Sequence, residues 1–170
     1  MSVTPHPPLF LRVANGVGRL VPRVTLDPGT LIDRARKKTG LSDFGPDGPF
    51  REALEVLCDS LEQEANLTPV GRLLVRQMVQ QGLENQLQLQ DWYRRFPEIA
   101  EQSVDNHLII IGMPRTGTTI LHELMVLDSA NRCPLTWELA HPFPPPETGT
   151  FNRDPRIRQT ARELKLSHYI

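Results

Sequence analysis

Residues 108–111 read Leu-Ile-Ile-Ile, and the next six, Gly112 to Gly117, hold two glycines, a proline and an arginine. An unbroken apolar run, largely β-branched and without polar alternation, suits a strand buried on both faces of a parallel sheet. That strand is expected over His107 to Ile111. Gly112 to Gly117 is then a loop, and Thr118 to Leu127 returns to helical spacing through Leu121, Leu124, Met125 and Leu127. Strand, loop and helix in this order make an α/β unit of P-loop type. A helix N-terminus leaves backbone N–H groups unpaired and carries partial positive charge. A loop feeding it from a buried strand is therefore a ready anion site.

Upstream the pattern is helical. Leu9 to Val21 reads as a short helix, interrupted at Gly16 and Gly18 and closed by Pro22. Asp27-Pro28-Gly29-Thr30 looks like a turn into a basic helix, Leu31 to Lys38, which Gly40 can terminate. Its run Arg34, Arg36, Lys37, Lys38 reads as a solvated face. Asp43 to Pro49, with two glycines and two prolines, reads as a loop. From Phe50 to Ala65, apolar residues at Ala53, Leu54, Leu57, Cys58, Leu61 and Ala65 keep a helical period. Thr68-Pro69 is an N-cap with proline at the first helical position. The helix it starts is expected to reach about Phe96, with Val75, Val79, Leu83 and Leu87 on one stripe and Leu74 and Met78 beside it. These last two helices are expected to pair as a hairpin. After the loop helix, Asp128-Ser129-Ala130-Asn131 is a stop. Trp137-Glu138, a proline-rich bend (Pro142, Pro144, Pro145, Pro146) and a charged helix from about Asp154 follow. The division expected is a mainly helical region, 1–100, then the first strand–loop–helix of a larger domain, 101–170.

Composition excludes several classes. A hydrophobic content of 39% and a charged content of 23% are those of a globular protein. A formal net charge of −1 gives no overall footprint for nucleic acid or an anionic membrane, so any anion site must be local. Two cysteines, Cys58 and Cys133, cannot make a disulfide-rich scaffold. Cys58, on an apolar helical stripe, reads as a buried thiol. No apolar run approaches transmembrane length. Met1 to Val21, broken by Pro5, Pro7, Pro8 and Arg12, makes a poor signal peptide, and the glycosylation pattern at Asn66 reads as chance. The cytoplasm is the expected location.

Gly112 and Gly117 have the spacing of the Walker loop, G-x-x-x-x-G-K-[ST], but the lysine position is Thr118. In nucleotide triphosphatases that lysine reaches the β and γ phosphates, and the next hydroxyl holds magnesium. Here the charge comes from Arg115, and hydroxyls from Thr116, Thr118 and Thr119. That set suits a shorter anion held by a fork of donors, with no obligatory metal.

Pro114-Arg115-Thr116-Gly117-Thr118-Thr119 resembles the 5′-phosphosulfate-binding loop of sulfotransferases that use 3′-phosphoadenosine 5′-phosphosulfate (PAPS). The likeness is closest to bacterial members with Arg where many animal enzymes have Lys. Leu67-Thr68-Pro69-Val70-Gly71-Arg72, Trp137-Glu138, the proline bend and Asp154-Pro155-Arg156 are also similar to the amino-terminal half of that group. The resemblance implies a transferase moving a sulfuryl group from PAPS to a hydroxyl (or amine) of a small-molecule acceptor. Pro114, Arg115, Thr116, Gly117, Thr118 and Thr119 would bind the donor. Glu123 lies four residues after Thr119, on the same helix face, and helical side chains lean toward the N-terminus. Some family members place a catalytic glutamate at this offset, which makes Glu123 the candidate general base. Arg115 and the loop amides would stabilise charge on the departing phosphate.

Other readings of these residues stand beside this one. Glu123 also fits an acidic residue favoured early in a helix. His122, about 100° around the helix, reads as a surface or core-edge histidine. His122-Glu123 begins like H-E-x-x-H, but Val126 stands where the second histidine would be, so a zinc site is not supported. Trp137 and the proline bend read as packing. A P-loop kinase or hydrolase is the second function, and a non-catalytic helical interaction module with a relic loop the third. Only one convincing central strand is legible, and one strand cannot form a sheet. The family's 3′-phosphate residues have no counterpart before Ile170. The expectation is an amino-terminal portion of a longer enzyme, or a truncated gene product, with the central parallel sheet incomplete. The acceptor and the oligomeric state stay open.

Overall fold

Local chemistry sets the first helices. In a computed structural model of the chain, residues 8–103, 107–113 and 115–167 are described. Helix α1 is Leu9–Gly18. Gly16 does not break it, but it stops at Gly18, short of the expected Val21; a Cβ at Gly18 would lie 2.6 Å from the Cβ of Pro69. That glycine lets the helix approach the start of a later one, where Asn15 Oδ1 accepts from Val70 N at 2.9 Å. Helix α2 is Pro28–Thr39, capped by Asp27, whose carboxylate accepts from Thr30 N at 2.7 Å and Thr30 Oγ1 at 2.8 Å. The expected turn is thus the cap and first turn of the helix itself, with proline at its first position. Gly40, at φ 71°, ends it in the left-handed conformation.

Helix α3, Asp47–Gln63, begins earlier than the composition of 43–49 indicates. Pro49 falls in its first turn, where a missing N–H costs nothing, so a presumed loop breaker starts the helix. Helix α4, Pro69–Arg95, has the expected Thr68 cap, accepting from Gly71 N at 3.1 Å.

The packing corrects the expected hairpin. Helix α4 packs chiefly on α2, and α3 joins through α2. The core unites Leu31, Ile32 and Ala35 of α2, Phe44 of the connection to α3, Leu54 and Cys58 of α3, and Leu83 and Leu87 of α4. Met78, expected beside the stripe, is exposed. The basic run on α2 is not wholly solvated: Lys38 Nζ reaches the buried Glu84 at 2.7 Å, and Arg36 lies over the Phe44 ring at 5.6 Å. Arg72, also buried, donates to Val24 O and to Glu62, and Arg23 meets Glu62 at 3.1 Å. A buried guanidinium is tolerable only with such partners, and this one ties the α1–α2 connection to α3 and α4.

Beyond Phe96 the expected strand is absent. Residues 107–113 carry no helix and no strand pairing, and no strand occurs among the described residues. Leu108, Ile109 and Ile111 are exposed, Ile111 to 90%. A strand is defined by its partner, and an apolar run without one is extended chain. Helix α5, Thr118–Val126, follows the loop and buries none of its residues. Helix α6, Thr136–Ala140, and helix α7, Pro155–Ser167, pack on each other. Asn85 of α4 donates to Ala140 O at 3.2 Å, and Trp92 stacks with Phe143 at 6.2 Å, so α4 also contacts this second part. None of the described helices is long and apolar enough to cross a membrane.

Candidate functional site

The loop is shaped by two glycines and one strained arginine. A Cβ at Gly112 would lie 2.6 Å from Thr118 Cγ2 and 3.0 Å from Thr116 Oγ1, so only glycine lets 112 sit under the start of α5. Thr116 Oγ1 donates to Met113 O at 2.7 Å and closes the loop on itself. Arg115 has φ 64° and Gly117 φ 88°. A left-handed arginine is uncommon and costs of the order of 1–2 kcal/mol, which glycine at 117 escapes. Two left-handed residues, with one residue between them, turn the backbone sharply into α5. Pro114, between Met113 and Arg115, lies outside the described residues.

Helix α5 makes its first backbone bond from Leu121 N to Gly117 O, 3.0 Å, and no side chain caps it. The amides of Thr118, Thr119 and Ile120 precede that bond and are the helix's orphan donors. Arg115 is exposed and forms no ion pair among the described residues. The loop therefore presents unpaired N–H groups, a positive helix end, an uncommitted guanidinium and the hydroxyls of Thr118 and Thr119. Such a set receives a phosphate-like oxyanion.

Glu123 sits one turn above Thr119 on α5, exposed and without an ion pair among the described residues. The helical period puts Glu123 on the same face as Thr119. His122 turns elsewhere: its Nε2 lies 2.7 Å from Cys133 Sγ, joining α5 to the segment that follows it. Nothing in the spacing of His122 and Cys133 announces that contact. Asp128, the expected stop, accepts from Ala130 N at 2.9 Å and turns the chain back.

Trp137 packs as expected: it is buried, tilted against Phe151 at 5.2 Å, with the Arg156 guanidinium over its ring at 5.0 Å. Arg156 is the hub of this part. It grips both oxygens of Asp154 at 2.8 and 2.6 Å and donates to His141 O at 2.8 Å and Pro144 O at 2.5 Å. Hydrogen bonds from Arg156 outweigh the burial of Asp154 and pull its carboxyl down to about 2. Asp154-Pro155-Arg156 is legible as a motif but its bidentate clamp is not, although the i, i+2 spacing at a helix start is a signal for it.

Residues 107–169 match the model of the sulfotransferase family. None of the curated proteins matches the chain. Among solved structures it is similar to sulfotransferase STF1 from Mycobacterium tuberculosis H37Rv, at 32% identity and a TM-score of 0.72, over 86% of this chain and 40% of that one. It is similar also to sulfotransferase STF9 from Mycobacterium avium, at 34% identity and a TM-score of 0.69, over 81% of this chain and 35% of that one. The chain thus spans less than half the length of either structure it matches. Those matches place the helical described residues within an α/β fold. With the phosphate-type loop inside the matched segment, residues 107–169 belong to the sulfotransferase family, and the helical region before them lies inside the structural match to two sulfotransferases.

Proposed function

We propose that this chain forms the 5′-phosphosulfate half of a PAPS-dependent sulfotransferase site. The observation that carries it is the loop: a glycine packed beneath Thr116 and Thr118, two left-handed residues, and a helix N-terminus beside an arginine with no ion pair among the described residues. The residues fit the donor. Amides 118–120 and the hydroxyls of Thr118 and Thr119 would hold the 5′-phosphate, with Arg115 and Thr116 framing it and Gly117 setting the bend; Pro114 belongs to the same donor-binding set. When bound, PAPS supplies an activated sulfuryl group. Glu123 removes the proton from an acceptor hydroxyl (or amine) as its oxygen or nitrogen bonds to sulfur. Arg115 and the loop amides hold the charge that collects on the leaving phosphate. Thr118 at the Walker lysine position removes the residue that reaches the β and γ phosphates of a triphosphate, so the loop suits the shorter phosphosulfate donor.

The acceptor is a small molecule bearing a hydroxyl group. The enzyme is of bacterial type and works in the cytoplasm, with 1–100 as a helical support and 101–170 as the start of the catalytic domain. Calorimetric titration with adenosine 3′,5′-bisphosphate in the presence of EDTA tests the donor site. Saturable binding that Arg115→Ala weakens about tenfold supports the reading. Magnesium-dependent ATP binding in its place would favour a kinase or hydrolase. Binding of neither nucleotide would favour a helical interaction module.

A further inference from the structure

Helix α7 carries cationic residues that the loop chemistry does not use. Arg158, Arg162 and Lys165 recur at spacings of four and three, so they share one face of the helix. Arg153, in the short 3₁₀ turn just before α7, joins them. Arg153, Arg158 and Arg162 line one open hollow of about 600 Å³, completed by Pro155, Gln159 and Glu163. None of the three arginines has an ion pair among the described residues, whereas Arg132 and Arg156, close by in sequence, are each held by a carboxylate.

The one acid in the hollow is already committed. Glu163 is bonded by His141 Nε2 at 3.0 Å and by Gln159 Nε2 at 3.0 Å. Partial burial raises its carboxyl, but these bonds outweigh it and hold the group below the usual carboxylate range. Glu163 therefore acts as a fixed wall rather than as a partner for the arginines. Three like charges around one concavity repel one another, and that repulsion is relieved when an oxyanion enters. Guanidinium groups present forked donors matched to phosphate and sulfate oxygens. The hollow is also far larger than one oxyanion, in the range of small-molecule sites, so there is room for an organic body beside the charged group.

We infer that the Arg153–Arg158–Arg162 hollow on α7 binds a small molecule bearing a phosphate or sulfate ester, at a site separate from the loop before α5. The two sites rest on different residues, so either can fail without the other.

Phenyl phosphate titrated into the full chain at low ionic strength, followed by calorimetry, tests the site, with inorganic phosphate as the second probe. Saturable binding of phenyl phosphate is expected, tighter than that of inorganic phosphate. Arg158→Ala and Arg162→Ala should each weaken it about tenfold, the scale of one charge-assisted hydrogen bond. Arg162→Lys keeps the charge but not the fork and should fall between. Arg115→Ala should leave it unchanged. Circular dichroism of each variant should match the parent, since the exchanged side chains are exposed. Lack of saturation, insensitivity to both α7 substitutions, equal affinity for inorganic phosphate, or loss with Arg115→Ala would each overturn the inference.

Discussion

Replacing Gly112 with alanine tests how the loop is built, because the structure names the atoms that must give way. The new Cβ would meet Thr118 Cγ2 at 2.6 Å and Thr116 Oγ1 at 3.0 Å. Carbon pairs settle near 3.5–4.0 Å, so the first contact lies deep on the repulsive wall. Neither neighbour yields freely. Thr116 Oγ1 is tied to Met113 O at 2.7 Å, and Thr118 is a β-branched residue opening a helix. Relief needs a rotamer change or a backbone shift, costing about 1–3 kcal/mol. That strain falls on the groups assigned to the donor, so affinity for adenosine 3′,5′-bisphosphate should drop about tenfold to a hundredfold. The urea midpoint should barely move, because the helical core is elsewhere. The decisive variant is the double one. Thr118→Ser deletes Cγ2 and keeps the hydroxyl, so Gly112→Ala with Thr118→Ser should recover most of the affinity in calorimetry. Unchanged binding by Gly112→Ala, or no recovery in the double variant, would refute the assigned packing.

The remaining expectations concern the scaffold. Leu87 of α4, fully buried in the core with α2 and α3 residues, should cost about 2–5 kcal/mol on truncation to alanine, read as a lowered urea midpoint with an unchanged slope. Asp154 has a folded-state pKa of about 2 against an ordinary 3.8, so its clamp stabilises fully above about pH 4 and fades as pH falls toward 2. Urea midpoints of the parent and of Asp154→Asn should therefore differ at pH 7 and converge near pH 2; a constant gap would contradict the assignment. Burial, reinforced by Asp27 and Asp59, pushes the Cys58 thiol up, so iodoacetamide on the native chain should label the half-exposed Cys133 and spare Cys58 until urea is added.

What could be read from the residues divides by the range of the physics. Features closed within a turn of chain were legible. Thr68-Pro69 caps α4, Gly40 ends α2, and Gly117 passes into α5, each through a local backbone requirement. Pro49 misled because a breaker inside a helix is a harmless opener in its first turn, and composition alone does not say which applies. The partner of α4 was harder still. On α2 the core rests on Leu31, Ile32 and Ala35, while Arg34, Arg36, Lys37 and Lys38 dominate its composition. A helix that looks basic thus supplies the centre of the core, and its strongest polar tie, Lys38 to Glu84, spans 46 residues. No window of local sequence contains such a pair.

The run 108–111 shows the same limit from the other side. Its composition states a need, burial on two faces, but composition cannot supply the neighbours that would meet it. Ile109 and Ile111 are exposed, and so are Ile120, Leu121 and Leu124 of α5, so one apolar unit stands uncovered on both sides of the loop. The loop does not share that dependence. Its shape comes from Gly112 under Thr118, the Thr116–Met113 bond and the left-handed turn at 115 and 117, all internal to residues 112–118. A loop of this shape can therefore be encoded in a short motif, whereas the neighbours that would pair residues 108–111 into a sheet cannot. For the same reason, a Gly112→Ala substitution should weaken donor binding without disturbing the helical core, two readouts that a single cooperative unit would have to change together.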